Sequence, residues 1–253
     1  MALLALLAPS TGTPNPPVDA LASWRSRLAS TDRMNAVLVA VGDSLTDMDA
    51  TSIDSTGWTA NLARQLIPHT PGAVSFYDVG HLPEWAPSWG PVGLHVVNVA
   101  ISGRTSYSYI TLHESMPQIV AAGPTVVMHM IGMNDYNFTG RTPVEVADEI
   151  VKRMGMVDTA LSDAGKELPT HVVMVEPRDT SPRPEQPADW WDVYVAELAR
   201  IVKADEERRV LANIDAAFGN DTGLRGSDDI HLTTAGYQRV ADTMHELLTG
   251  TTT

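Results

Sequence analysis

Five short apolar runs rich in β-branched residues punctuate the chain, at residues 37–41, 96–100, 125–131, 171–175 and 210–214. A continuous apolar run of this length, rather than an in-out alternation, is what a parallel strand buried on both faces requires. Between the runs the apolar positions recur at helical spacing. The clearest case begins at Thr142-Pro143-Val144-Glu145, where Thr142 can cap, Pro143 fits the first turn and Glu145 closes a capping box. Ala147, Ile150, Val151, Met154 and Leu161 then line one face, and Gly165 is the expected stop. Two further helices are predicted, from about residue 57 to 66 and from 234 to about 248. Strands alternating with helices predict a three-layer α/β/α sandwich around a parallel sheet, joined by right-handed crossovers.

The same pattern divides the chain into an arm and one large unit. Residues 1–19 form the arm: a short apolar stretch at 2–8, then a Pro-rich linker at 9–17. The apolar stretch falls far short of the roughly 20 residues that span a bilayer. It also has no basic residue before Arg25, so a linker is favoured over the alternative of a signal-peptide remnant. Residues 20–253 show no repeat or composition break and read as a single domain. Two connections in it are long, 74–94 with Trp85 and Trp89, and 176–191 with four prolines and the pair Trp190-Trp191. Connections of that length are usually functional or mobile.

Composition narrows the functional classes. With 17 Lys and Arg against 31 Asp and Glu, the formal charge is −14. Nucleic acid is therefore excluded as a partner, because its phosphates need a basic face, and an anionic membrane surface is disfavoured for the same reason. The absence of cysteine removes disulfides, thiolate nucleophiles and Cys-ligated zinc. No H-E-x-x-H pattern is present either, and no metal or cofactor is expected.

The chemistry-bearing residues cluster at strand ends. The first run leads into Gly42-Asp43-Ser44-Leu45, which presents a serine where an open α/β sheet exposes its ligand edge. Of the eight histidines, His129 lies inside a strand, and His95 and His171 sit at strand beginnings. His69, His81, His113 and His245 have no carboxylate patterned to orient them. His231 differs, because it lies in a loop before the last helix with Asp228 three residues earlier. Asp228 can fix the imidazole tautomer while the other ring nitrogen takes the Ser44 proton; Asp229 is the competing orienter. Gly103, after the second run, and Asn134, after the third, supply candidate donors to an oxyanion. Taken singly, each of these residues also fits an ordinary turn or cap. Their shared sheet edge is what points to chemistry.

As an ordered set, Gly42-Asp43-Ser44-Leu45, Ile101-Ser102-Gly103, Gly132-Met133-Asn134-Asp135 and Asp228-x-x-His231 resemble the four blocks of the SGNH (GDSL) hydrolase family. The resemblance runs over about residues 35–248 and implies a flavodoxin-like fold with five parallel strands. It further implies a serine esterase with Ser44 as nucleophile, His231 as general base and then acid, and Asp228 as its orienter. By the same resemblance, the Ser44 and Gly103 N–H groups and the Asn134 side chain form the oxyanion hole. The segment at 20–28 with the Ser44 block also resembles SGNH domains carried on phage tail proteins. That would suit an extracellular, cell-envelope or virion-associated setting.

For the substrate, Trp85, Trp89, Trp190, Tyr107 and Tyr136 are candidate faces for stacking on sugar rings, with Asp43 and Arg104 as polar candidates beside them. Anchoring of the long loops is the alternative use of the aromatics. The expectation is an O-acetyl or short-acyl group on a carbohydrate. The alternatives are a lipid or lysophospholipid, or a non-catalytic glycan-binding module of the same fold. Neither long loop offers the contiguous apolar lid that a lipid substrate would favour. Residues 127–253 hold 22 of the acidic residues against 12 basic, a field that favours a neutral ester over an anionic one.

Overall fold

The computed structural model describes residues 19–31, 35–48, 50–82, 84–90, 92–111, 115–181 and 183–251. Nearly all of the expected N-terminal arm, and His113, lie outside them. The architecture is an open parallel sheet in the order β2-β3-β1-β4-β5-β6. Its strands are β1 (Ala36–Gly42), β2 (Ala73–Asp78), β3 (Gly93–Asn98), β4 (Val126–Met130), β5 (Thr170–Val175) and β6 (Arg209–Asn213). The central strands β1, β3 and β4 are buried at every residue, which is why they read as predominantly apolar runs.

The sheet has six strands where five were expected, and the addition is β2. It pairs in parallel with β3 from Ala73↔Gly93 to Asp78↔Asn98, at the edge of the sheet. Its sequence, Ala-Val-Ser-Phe-Tyr-Asp, is only partly buried, so it lacks the apolar run that marks an interior strand. The connection expected over 74–94 is correspondingly shorter.

Two helical layers cover the sheet. On one side α1 (Ala22–Leu28), α3 (Trp58–Leu66), α8 (Ile214–Phe218) and α9 (Thr234–Thr249) pack together; on the other, α4 (Ser106–Thr111), α5 (Met116–Ala122), α6 (Pro143–Asp163) and α7 (Trp190–Lys203) do. The four-residue helix α2 (Ser44–Asp47) follows β1 directly. The capping box at the start of α6 forms as its sequence predicts: Thr142 Oγ1 accepts from Glu145 N–H, and the Glu145 carboxylate accepts from Thr142 N–H. In α7 the tryptophan pair opens the helix. Trp190 and Trp191 are buried against Tyr136 and Tyr194, so their apolar area holds α7 to the sheet. Among the described residues no helix is long and apolar enough to cross a membrane.

One polar chain runs through this core. His129 Nε2 lies 2.9 Å from His171 Nδ1, His171 Nε2 lies 3.0 Å from Asp158 Oδ1, and Arg208 donates to Asp158 Oδ2 at 2.7 Å. Burial, with His171 and Arg153 nearby, holds the His129 pKa well below its ordinary value of 6.5. The folded chain therefore takes up this proton less readily than the unfolded one, and stability drains away as pH falls below about 6.5. A His129→Gln variant should lose less in Tm than the parent between pH 7.5 and pH 5; parallel Tm–pH curves would remove His129 as the cause.

Candidate active site

Because all strands are parallel, their C-terminal ends share one edge, and the chain leaves β1 toward β2 and β3 on one side and β4 to β6 on the other. A crevice at such a reversal is the usual ligand position of an open α/β sheet. The Gly42–Asp43 turn delivers Ser44 into it. A Cβ on Gly42 would fall 2.3 Å from Thr46 Oγ1 and 2.7 Å from Met130 O, so only glycine fits between β4 and the first turn of α2. Asp43 caps α2 through Leu45 N–H at 3.0 Å. The Tyr109 hydroxyl donates to Gly42 O and accepts from the N–H groups of Gly42 and Ile101 at 3.3 and 3.2 Å, tying β1 to the chain that leaves β3.

His231 reaches Ser44 from the loop before α9. Its Nε2 lies 3.0 Å from Ser44 Oγ, and its Nδ1 lies 2.6 Å from Asp228 Oδ2. The other oxygen of Asp228 accepts the backbone N–H groups of Ile230 and His231 at 3.1 and 2.9 Å. Burial alone would raise the Asp228 pKa; the His231 ring and these two N–H groups outweigh it and hold the carboxyl below its ordinary range. Between the two acids considered from sequence, Asp228 is the one on the imidazole. Asp229 instead takes a left-handed backbone conformation at φ 60°.

Gly103 and Asn134 come to the same place. Gly103 has φ +78°, and a Cβ there would meet nothing within 4 Å, so open space adjoins this turn. Asp47 secures the turn by accepting from Ser102 N–H at 2.8 Å and Ser102 Oγ–H at 2.5 Å. Asn134 donates one amide hydrogen to Asp43 Oδ2 at 3.1 Å and the other to Arg104 O at 2.8 Å. The N–H of Ser44 lies in the first turn of α2, where no intrahelical acceptor exists. The grouping is therefore a serine hydrogen-bonded to an oriented imidazole, with the Asn134 amide and the Gly103 turn beside it, which is equipment suited to acyl transfer.

The remaining sequence candidates divide. Trp190 is 1 % exposed and donates to Arg141 O, and Tyr136 is 7 % exposed beneath the same rings. Both are corrected from stacking faces to core residues, since burial keeps them from a ligand. Asp43 is fully buried behind the serine, where it supports the turn rather than meeting substrate. Trp85 and Trp89 pack on Tyr77, with Trp89 also on His95, and so fasten their loop to the β2–β3 edge. Tyr107 is 47 % exposed with the Arg141 guanidinium 4.5 Å above its ring. The segment 176–191 is bound across the site's flank by Arg178–Asp215, Arg183–Asn137 and Gln186–Tyr136 O. Sequence reasoning gave no role to Asp47, Tyr109 or Glu176. Asp47 was within reach, lying three residues after Ser44, while the other two are visible only once the strands are side by side.

Residues 40–239 match the GDSL-like Lipase/Acylhydrolase family. The chain belongs to that family. As a member it is a carboxylic ester hydrolase. No curated protein matches its sequence significantly. Solved structures share the fold at low identity. A carbohydrate acetylesterase from Sinorhizobium meliloti is 18 % identical with a TM-score of 0.60, the match covering 85 % of this chain and 99 % of that one. A carbohydrate esterase family 3 protein from Talaromyces cellulolyticus is 16 % identical with a TM-score of 0.59, over 86 % and 100 %. An aryl esterase from M. smegmatis is 17 % identical with a TM-score of 0.58, over 85 % and 99 %.

A glycine two residues before Asn134 gives a direct check on the site's construction. Gly132 has φ +147°, and a Cβ there would lie 2.6 Å from the Tyr194 hydroxyl. Gly132→Ala should therefore cost about 1–3 kcal/mol, more than Gly103→Ala, where only the backbone angle opposes the change. Thermal melts of the two variants measure this, and a smaller loss at Gly132 would contradict it.

Proposed function

We propose that the protein removes short acyl groups, of the acetyl class, from a neutral carbohydrate ester through a Ser44 acyl-enzyme. The observation that carries the reading is the continuous hydrogen-bond chain Ser44–His231–Asp228. His231 Nε2 takes the Ser44 proton as Oγ attacks the ester carbonyl, and Asp228 stabilises the imidazolium. The oxyanion accepts from the Ser44 and Gly103 N–H groups and from Asn134, in place of the Arg104 carbonyl that the amide meets in the resting site. As the intermediate collapses, the alcohol leaves with the proton from His231. Water then gives a proton to His231 and attacks the acyl carbon, which releases the acid and restores Ser44.

Three features support a bulky neutral alcohol as the leaving group. The His231 and Asp228 side chains are 35 % and 49 % exposed, so the centre opens directly to solvent and suits an ester on a large molecule. Tyr107, braced by Arg141, and Phe138, 72 % exposed just after Asn134, offer aromatic faces to a sugar ring. The net charge of −14 opposes an anionic ester. Proteins with this fold include a carbohydrate acetylesterase and an acetyl-xylooligosaccharide esterase.

Ser44→Ala and His231→Ala should each lower kcat/KM on a p-nitrophenyl acetate substrate by about 10³-fold or more, with the melting curve unchanged. Substantial activity in Ser44→Ala would end the assignment. Across a panel of acetylated xylan, acetyl sugars, p-nitrophenyl esters of rising chain length and lysophospholipid, the highest kcat/KM should fall on the acetyl carbohydrates. A preference for long acyl chains would replace the sugar reading with a lipid one.

A further inference from the structure

Behind the proposed oxyanion donor lies a carboxyl group that the reaction itself does not use. Glu176 follows β5 and is fully buried. Its Oε2 accepts the Met133 N–H at 2.5 Å, while its Oε1 has no hydrogen-bond partner among the described residues. On the other side of Gly132, the Tyr194 hydroxyl from α7 donates to Ile131 O at 2.5 Å. The two side chains thus hold the backbone polar groups that flank Gly132, Ile131 O and Met133 N–H, and Asn134 directly follows Met133.

We infer that Glu176 is a positioning residue of the esterase: as a neutral carboxylic acid it fixes the Gly132–Met133 peptide, and through it the Asn134 amide that receives the oxyanion. The inference rests on the role proposed above for Asn134. The groups facing Glu176 favour its neutral form. They are Asp43 from the β1–α2 turn, Asp135 from the turn after β4, and the Tyr194 hydroxyl from α7. None of these is a cation, and the Tyr194 proton is already given to Ile131 O. An ionised Glu176 would hold a full charge on one N–H bond beside two other carboxyls, which the interior does not tolerate. Burial first, then Asp43 and Asp135, push its pKa well above the ordinary value of 4.5, in keeping with that geometry.

The clasp also explains the glycine. A side chain at 132 would occupy the position of the Tyr194 hydroxyl and come within 3.4 Å of Glu176 Oε2, so the two side chains reach the backbone only because Gly132 is bare. Asp135 completes the support by accepting Ser106 N–H at 2.7 Å and Ser106 Oγ–H at 2.8 Å, which joins the Asn134 turn to the start of α4.

The test is a double-mutant cycle on p-nitrophenyl acetate hydrolysis with two volume-conserving variants. Glu176→Gln keeps an uncharged acceptor for Met133 N–H, and its kcat should stay within about threefold of the parent, with a superimposable kcat–pH profile from pH 6 to 9. Glu176→Met removes the acceptor, and its kcat should fall about 10- to 100-fold at nearly constant KM. In an Asn134→Ala background the same Glu176→Met change should cost less than about threefold, because the group it positions is gone. Additive losses would overturn the inference, as would a Gln variant as impaired as Met, or one lacking a pH limb that the parent shows. Melting curves of all variants guard against unfolding. An Asn134→Ala variant with parental kcat would instead refute the oxyanion role, a result distinct from failure of the Glu176 claim.

Discussion

Parallel pairing is the constraint from which the rest of this molecule follows. A parallel sheet requires each strand to be fed from the same end, so every crossover helix leaves from one edge and the strand C-termini collect there. Three neighbouring strands, β3, β1 and β4, therefore end beside one another and carry Gly103, Ser44 and Asn134 on the turns that follow. His231 arrives over the same edge from the loop before α9. The residues span from 44 to 231 in sequence, yet hydrogen-bond distances of 3.0 and 2.6 Å connect serine to imidazole to carboxylate.

That edge is also where the core accepts carboxyl groups. Asp43, Asp135 and Glu176 are all fully buried around the turn that carries Asn134. Asp43 receives Leu45 N–H and the Asn134 amide, yet burial, with Asp135 and Asp47 nearby, still raises its pKa to about 7. Apolar side chains of similar size would cost the fold less. What the carboxyls provide is direction: each accepts from a specific backbone N–H or side chain on a turn that would otherwise be free to shift. Tyr109 and Tyr194 do the same with their hydroxyls, so a ring of polar side chains sets the strand-end turns where helices and strands cannot.

How far the sequence could be read depended on the kind of signal. Buried central strands were legible because both faces need apolar residues; of the two edge strands, β6 keeps Val210-Leu211-Ala212 together and was legible, whereas β2 interrupts its apolar residues with Ser75 and was not. Helix α6 was legible at its start because the Thr142–Glu145 box is a local interaction. The Trp190-Trp191 pair misled for the opposite reason: aromatic residues beside a Pro-rich segment suggest an exposed face, whereas packing on Tyr136 and Tyr194 was a long-range fact. Ser44, Gly103, Asn134, Asp228 and His231 were visible as motifs because their turns demand particular residues. Glu176 and Tyr109 were silent, since their significance lies wholly in what stands next to them in space.

The central claim is that Ser44 is a nucleophile activated by His231. Incubation with a fluorophosphonate, followed by intact mass and peptide mapping, tests it most directly, because the reagent bonds covalently only to an activated serine. A single adduct on Ser44 is expected, absent from Ser44→Ala and formed far more slowly in His231→Ala. Labelling of Ser44→Ala at the parental rate, or an unlabelled parent, would contradict it.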